Sequence, residues 1–308
     1  MSDAPPTGSP ALDRFLAFRR TLPPRPPLEA LTVRARGLDF AVYRTPPVGS
    51  APPLVCLNGG LLFDHTLLWP TLAPLAATRQ LLLYDQRGRG ASAVPPGHQR
   101  HRIEYDAGDL PALREALGIA QWDVLGHSWG GGIALLGTAQ DVAGVRRLVL
   151  VDAVGVDSRW MAPLHAAALA VLTGEARARL AALDPGALTH ADLPVHAEYG
   201  QAFFPAWFVD QTLPARILPS RGSSETGCAA VARLRREGYD WHDRVAGMPV
   251  PTLLVHGAAD LLPLAEAHRT AALLREAQVV PIPEAGHNPF WEQPARFFGA
   301  IEAFLGAS

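Results

Sequence analysis

The sequence predicts an α/β protein: a mostly parallel, doubly wound sheet with an inserted helical cap. Three observations carry this. Short continuous apolar runs recur along the chain, each ending in glycine, an acid or histidine, as parallel strands covered on both faces do. Segments with apolar residues at three and four spacing lie between these runs, so strand and helix alternate. One long stretch, from about Asp157 to Gly247, breaks the rhythm and carries only helical patterns, aromatics and prolines.

In chain order, residues 1–30 are proline-rich and are expected to form an N-terminal surface arm. Residues 31–156 and 248–308 form the expected α/β core, and 157–247 the cap. The core opens with "LTVRARGLDFAVYRT", whose alternation about a central glycine suggests an antiparallel hairpin at the sheet edge. The strand candidates follow as "PLVCLNGG", "QLLLYDQRG", "WDVLGHS", "VRRLVLVDA", "PTLLVHGAAD" and "QVVPIPEAGH". The helical segments between and after them are "DHTLLWPTLAPLAAT", "DAGDLPALREALG", "GGGIALLGTA", "LAEAHRTAALLREA" and "PARFFGAIEAFLG". The cap is expected over the carboxyl ends of the strands, where ligand crevices of open α/β sheets form.

With 308 residues, 48% of them hydrophobic and 18% charged, the chain has material for one globular unit with an inserted subdomain. A formal net charge of −2 gives no reason to expect nucleic acid or a membrane surface as partner, which leaves a small molecule or short peptide. The first residues show neither a signal peptide nor a span. Cys56 and Cys228 are the only cysteines, so no disulfide framework is expected and the cytoplasm is the default location. There is no metal-ligand spacing and no internal repeat, and oligomeric state leaves no signature.

The chemistry centres on "VLGHSWGGGIALL". An apolar strand feeds Ser128 and a glycine-rich helix leaves it, which is the layout of a nucleophile elbow. Gly126 and Gly130 suit such a turn, because strand and helix backbones there nearly touch. The competing account is a plain strand-to-helix turn in which Ser128 bonds the helix start.

A serine hydroxyl needs a base within reach and a carboxylate to orient that base. His287 follows the last strand candidate in "EAGHNPFWEQP", where the base should stand; otherwise it is a loop histidine. Asp260 leaves the preceding strand and is the preferred acid, with Asp152 at the end of "LVLVDAVG" as competitor. Either acid also suits a simple helix cap. Two backbone N–H groups should meet the oxyanion, one from Trp129 and the other from Gly60 after "LVCLNGG".

These motifs give the chain its resemblance: it looks like the α/β-hydrolase fold superfamily and, within it, like proline iminopeptidases. "GHSWGG", "YDQRGRGAS" and "AGHNPFWEQP" carry the likeness. One motif departs, since the family's His-Gly-Gly-Pro-Gly stands here as "LNGGLLFDH", with Asn58 for the histidine and Leu61-Leu62 for Pro-Gly. The resemblance implies release of an amino-terminal proline from short peptides, with cap carboxylates neutralising the substrate ammonium. Glu198 and Glu225 are the candidates for that role, although a residue of this kind is more often a solvated surface acid. Phe204 and Trp207, with Phe203 and Phe208, serve either as pocket wall or as cap core.

The expectation is a serine hydrolase working through an acyl-enzyme, with no metal or organic cofactor. Its preferred substrate is an amino-terminal proline peptide. The alternatives are a carboxylesterase or carbon–carbon bond hydrolase, and a catalytically silent receptor or scaffold.

Overall fold

The computed structural model describes residues 7–217 and 222–306. The first six residues of the expected arm and residues 218–221 of the expected cap lie outside these. The strands are β1 (Glu29–Ala35), β2 (Leu38–Arg44), β3 (Leu54–Leu57), β4 (Leu81–Tyr84), β5 (Trp122–His127), β6 (Val145–Val151), β7 (Thr252–Gly257) and β8 (Ala277–Ile282). They form one sheet in the order β1-β2-β4-β3-β5-β6-β7-β8. The β1–β2 and β2–β4 pairs are antiparallel and the other pairs are parallel.

The first hairpin closes on Arg36 and Gly37, both with positive φ (45° and 76°), and pairs Ala35 with Leu38. A two-residue turn of this hand matches the twist of the strands. Every residue of β3, β4, β5 and β7 is buried, which is why these strands read as unbroken apolar runs. The sheet is covered on one face by α2 (Ile103–Ala116), α3 (Trp129–Gln140) and α9 (Leu264–Leu273), and on the other by α11 (Pro294–Gly306).

Between β6 and β7 the described residues form no strand. They build α4 (Leu164–Val171), α5 (Gly174–Ala181), α6 (Leu193–Phe203), α7 (Glu225–Glu237) and α8 (His242–Val245). The two ends of this helical segment are tied together at its base. The Trp241 N–H donates to the Val156 carbonyl at 2.8 Å, and Ser158 N–H to the Tyr239 carbonyl at 3.1 Å.

Two expectations change. "DHTLLWPTLAPLAAT" is not one helix but two 3-10 turns, His65–Leu67 and Ala73–Ala77. Pro70 and Pro74 lack the N–H that a continuous helix would need and clash with its preceding turn. The expected N-terminal surface arm also carries a docked helix. Ser9 caps α1 (Pro10–Arg20), which docks Phe15 against Trp291 and stacks Phe18 on Phe298, with ring centroids 4.4 Å and 5.4 Å apart. The proline content masked a helix whose apolar face is closed by the C-terminal region, where α10 (Pro289–Glu292) precedes α11. No helix among the described residues is long and apolar enough to cross a membrane.

Candidate active site

Sheet order reverses direction at β3, which lies between β4 and β5, so the loops leaving β3 and β5 rise side by side at a topological switch point. Ser128 sits directly on β5. Its backbone is held at φ 56°, ψ −123°, a conformation that side chains other than glycine rarely adopt. The turn persists because its surroundings over-determine it. Ser128 N–H donates to the Val151 carbonyl at 2.9 Å, and the Ser128 carbonyl accepts from Gly131 at 2.9 Å. A Cβ at Gly126 would overlap the Gly130 carbonyl oxygen, and one at Gly130 would overlap the Leu57 carbonyl oxygen. The glycine spacing is therefore a steric demand of the turn.

The loop after β3 lies against the serine: a Cβ built on Gly59 would sit 2.6 Å from the Ser128 Cβ. Asn58, which stands where the resembled family has histidine, anchors this loop by donating to the Gly59 and Phe63 carbonyls at 3.1 Å and 3.2 Å. The "DQRGR" segment braces it from below. Gln86 Nε2 donates to the Asn58 carbonyl at 2.9 Å and Arg89 Nε to the Leu61 carbonyl at 2.8 Å, while Arg89 is ion-paired with the fully buried Asp106. Gly60 and Trp129 border the same cavity as Ser128, and the Trp129 N–H, first in α3, has no acceptor within its helix.

His287 is pinned on all sides. Its N–H donates to the Trp207 carbonyl at 2.9 Å, its carbonyl accepts from His127 Nε2 at 2.9 Å, and its ring stacks on Trp207 with centroids 4.1 Å apart. Its Nδ1 lies 2.8 Å from Asp260 Oδ2. That leaves Nε2 free for a partner in the cavity that both His287 and Ser128 line. Burial opposes the charge on Asp260, but His287, His256 and the Leu262 N–H together hold its carboxyl below the usual range.

Asp152, the competing acid, is equally buried but lies behind Asp260. Its Oδ1 accepts the Gly257 N–H at 2.7 Å. Burial, then the adjacent Asp260 charge, push its carboxyl well above the carboxylate range. His127 is likewise kept neutral: burial, then the neighbouring His287, push it down to about 3.

Sequence reasoning passed over Glu292. It accepts the Gly286 N–H at 2.7 Å and the Asp210 N–H at 2.9 Å, so one buried carboxylate ties the histidine loop to the helical segment. Its place in the "HNPFWEQP" motif was the available signal.

The cavity has a volume of about 210 Å³. Phe204 and Trp207 line it, together with Trp160, Tyr199 and Phe203, so these aromatics are pocket wall as well as core. The two candidate acids are not there. Glu198 is exposed on the outer face of α6, and Glu225 is 73% exposed at the start of α7, 3.4 Å from His98. Glu198 precedes the buried Tyr199, and the helical turn of about 100° per residue that sends Tyr199 inward sends Glu198 out. No aspartate or glutamate lines the cavity among the described residues.

A doubly wound sheet carrying a strained serine at one strand end and a carboxylate-bound histidine at another defines a hydrolase of the α/β type. The family model of the α/β hydrolase fold matches residues 52–294, and the chain belongs to that family. Among curated relatives, the proline iminopeptidase of Lactobacillus delbrueckii subsp. lactis is 26% identical over 269 residues, covering 82% of this chain and 90% of that protein. Among solved structures, the proline iminopeptidase of Mycobacterium smegmatis superposes with a TM-score of 0.68 at 22% identity, covering 90% of this chain and 98% of the other. The enol-lactonase of Burkholderia xenovorans LB400 gives 0.65 at 22% identity, covering 90% and 100%. The fold is thus shared by proteins whose names denote different bonds.

Proposed function

We propose that this hydrolase is a serine hydrolase of small acyl compounds, cleaving an ester or activated carbonyl through an acyl-enzyme. The observation that carries this is the shared cavity of Ser128 and His287, with the imidazole's far nitrogen already held by Asp260. Ser128 Oγ attacks the carbonyl carbon while His287 Nε2 takes its proton. As the tetrahedral intermediate collapses, the His287 imidazolium gives that proton to the leaving group, whose bond to the carbonyl carbon breaks. Water then attacks the acyl-enzyme by the same route and frees the acid and the serine. Asp260 keeps the imidazole in the right tautomer and balances the imidazolium. The N–H groups of Trp129 and Gly60 stabilise the oxyanion, a contribution of about 3 kcal/mol per donor. A volume somewhat under the roughly 300–1,000 Å³ of drug-sized pockets favours a small acyl group.

A second reading, release of amino-terminal proline, is favoured by the curated relative's name and by the aromatic wall, which suits an apolar ring. Against it stands the lack of any described carboxylate in the cavity to meet the substrate ammonium.

A fluorophosphonate probe should label the protein and leave Ser128→Ala unlabelled; folded protein that resists labelling sinks the hydrolase mechanism. Proline p-nitroanilide assayed beside p-nitrophenyl acyl esters separates the two substrates. Arylamide turnover rivalling ester turnover would establish the aminopeptidase.

A further inference from the structure

Among the described residues, the cavity over Ser128 is lined by one arginine and by no aspartate or glutamate to match it. Val231 and Arg235, four residues apart on one face of α7, both line the cavity. The Arg235 Nε is buried and makes no hydrogen bond, and Arg235 forms no ion pair, among the described residues. Its polar neighbours Tyr199 and His196 are neutral and bonded elsewhere, and neither supplies an anion. The Tyr199 hydroxyl lies 2.7 Å from His165 Nδ1, and His196 Nε2 lies 2.8 Å from the His190 carbonyl. Burial pushes the guanidinium below its ordinary pKa, as expected of a cation stripped of water without a compensating charge. Three arginines buried more deeply than the half-buried Arg235 show the contrast: Arg87 is paired with Asp109, Arg89 with Asp106 and Arg79 with Asp123.

A guanidinium with its Nε buried and no anion beside it is partly stripped of water without compensation, and a ligand that supplies the missing anion recovers that cost on binding. The planar fork of N–H groups matches a carboxylate with two parallel hydrogen bonds. We propose that Arg235 is the specificity determinant of this cavity, and that the hydrolase acts on acyl compounds carrying a carboxylate at the end remote from the carbonyl that Ser128 attacks. The proposal rests on the serine-hydrolase reading and adds the substrate's charge. By like-charge repulsion, the same guanidinium disfavours an ammonium in the cavity.

Turnover and binding test it separately. Mono-p-nitrophenyl esters of glutaric, adipic and pimelic acid are compared with p-nitrophenyl esters of the matching monocarboxylic acids. The expected kcat/KM ratio favours the best-fitting acid by about tenfold or more, the size of a charge-assisted pair. Arg235→Gln should erase the ratio and Arg235→Lys keep part of it. Binding is read by calorimetry on Ser128→Ala protein with phenylvalerate and its primary amide. The acid should bind about tenfold tighter, and the advantage should vanish in Ser128→Ala/Arg235→Gln.

A wild type that cleaves neutral esters as well as acidic ones overturns the proposal and spares the hydrolase reading. Acid selectivity that survives Arg235→Gln also overturns it, because the carboxylate would then be held elsewhere. Arg235-dependent binding without turnover of any ester leaves anion recognition standing and removes the hydrolase reading.

Discussion

Asp260→Asn, set against Asp152→Asn, isolates the acid that serves the histidine. In the wild type the Asp260 side chain is shielded from solvent and its carboxylate lies 2.8 Å from His287 Nδ1. In the proposed mechanism Ser128 gives up its proton and the imidazole becomes a cation beside that carboxylate. Taking charge centres about 4 Å apart and an effective dielectric of about 20, their attraction is about 4 kcal/mol. An amide at position 260 forfeits most of it and can present an N–H to the ring instead of an acceptor, favouring the wrong tautomer. At about 1.4 kcal/mol per decade, the expected loss in kcat is about a thousandfold, rising toward ten-thousandfold with the tautomer error. Asp152→Asn changes little by the same logic. Burial and the adjacent Asp260 charge disfavour ionisation of Asp152, and an amide keeps the acceptor for Gly257 without adding charge beside Asp260. Its expected loss is less than about tenfold. The assay is ester turnover at saturating substrate for both variants, with thermal midpoints to confirm folding. A folded Asp260→Asn protein that loses under tenfold, or an Asp152→Asn protein that loses as much as Asp260→Asn, would refute the reasoning.

Gly130→Ala drives a methyl group into the Leu57 carbonyl oxygen, and urea unfolding should show a loss of about 1–3 kcal/mol; an unchanged midpoint would mean that strand and helix are less tightly packed there. Asp210 links α1 to the helical segment. Burial opposes its charge, but Thr212, the Ala11 N–H and Ser9 bring its carboxyl down to about 2 from the ordinary 3.8. A depressed folded pKa means stability that is present above the unfolded pKa and lost as pH falls through the folded one. The thermal midpoint of wild type should therefore exceed that of Asp210→Asn at neutral pH, and the gap should close between about pH 4 and 2. A gap that is constant across this range would exclude the carboxylate as its source.

The parts of the fold legible in the sequence were those set by neighbours along the chain. The buried central strands announced themselves as apolar runs, and the serine turn as a strand end meeting glycines that its crossing backbones require. Where a local rule misled, a second local rule or a distant contact had overridden it. Pro70 and Pro74 cut an apparently helical pattern into 3-10 turns, and the proline-rich arm concealed a helix because its partners, Trp291 and Phe298, lie at the far end of the chain. In the site, Glu198 and Glu225 were plausible by composition and proximity to aromatics, but helix rotation and position leave both in solvent. Arg235 was missed for the same reason. It is one of three arginines within four residues, and only packing distinguishes the one that turns inward.

By itself, then, the sequence determined the order of the core strands, the strained turn at Ser128 and the loops from which its partners come. These depend on backbone sterics and on apolar periodicity, which act over a few residues. Tertiary structure alone decided that Asp260 rather than Asp152 meets His287, that α1 docks, and that the cavity presents a cation and no described acid. Each of those outcomes depends on which side chains, remote along the chain, are brought within a few ångströms and cut off from water, and no local pattern encodes that.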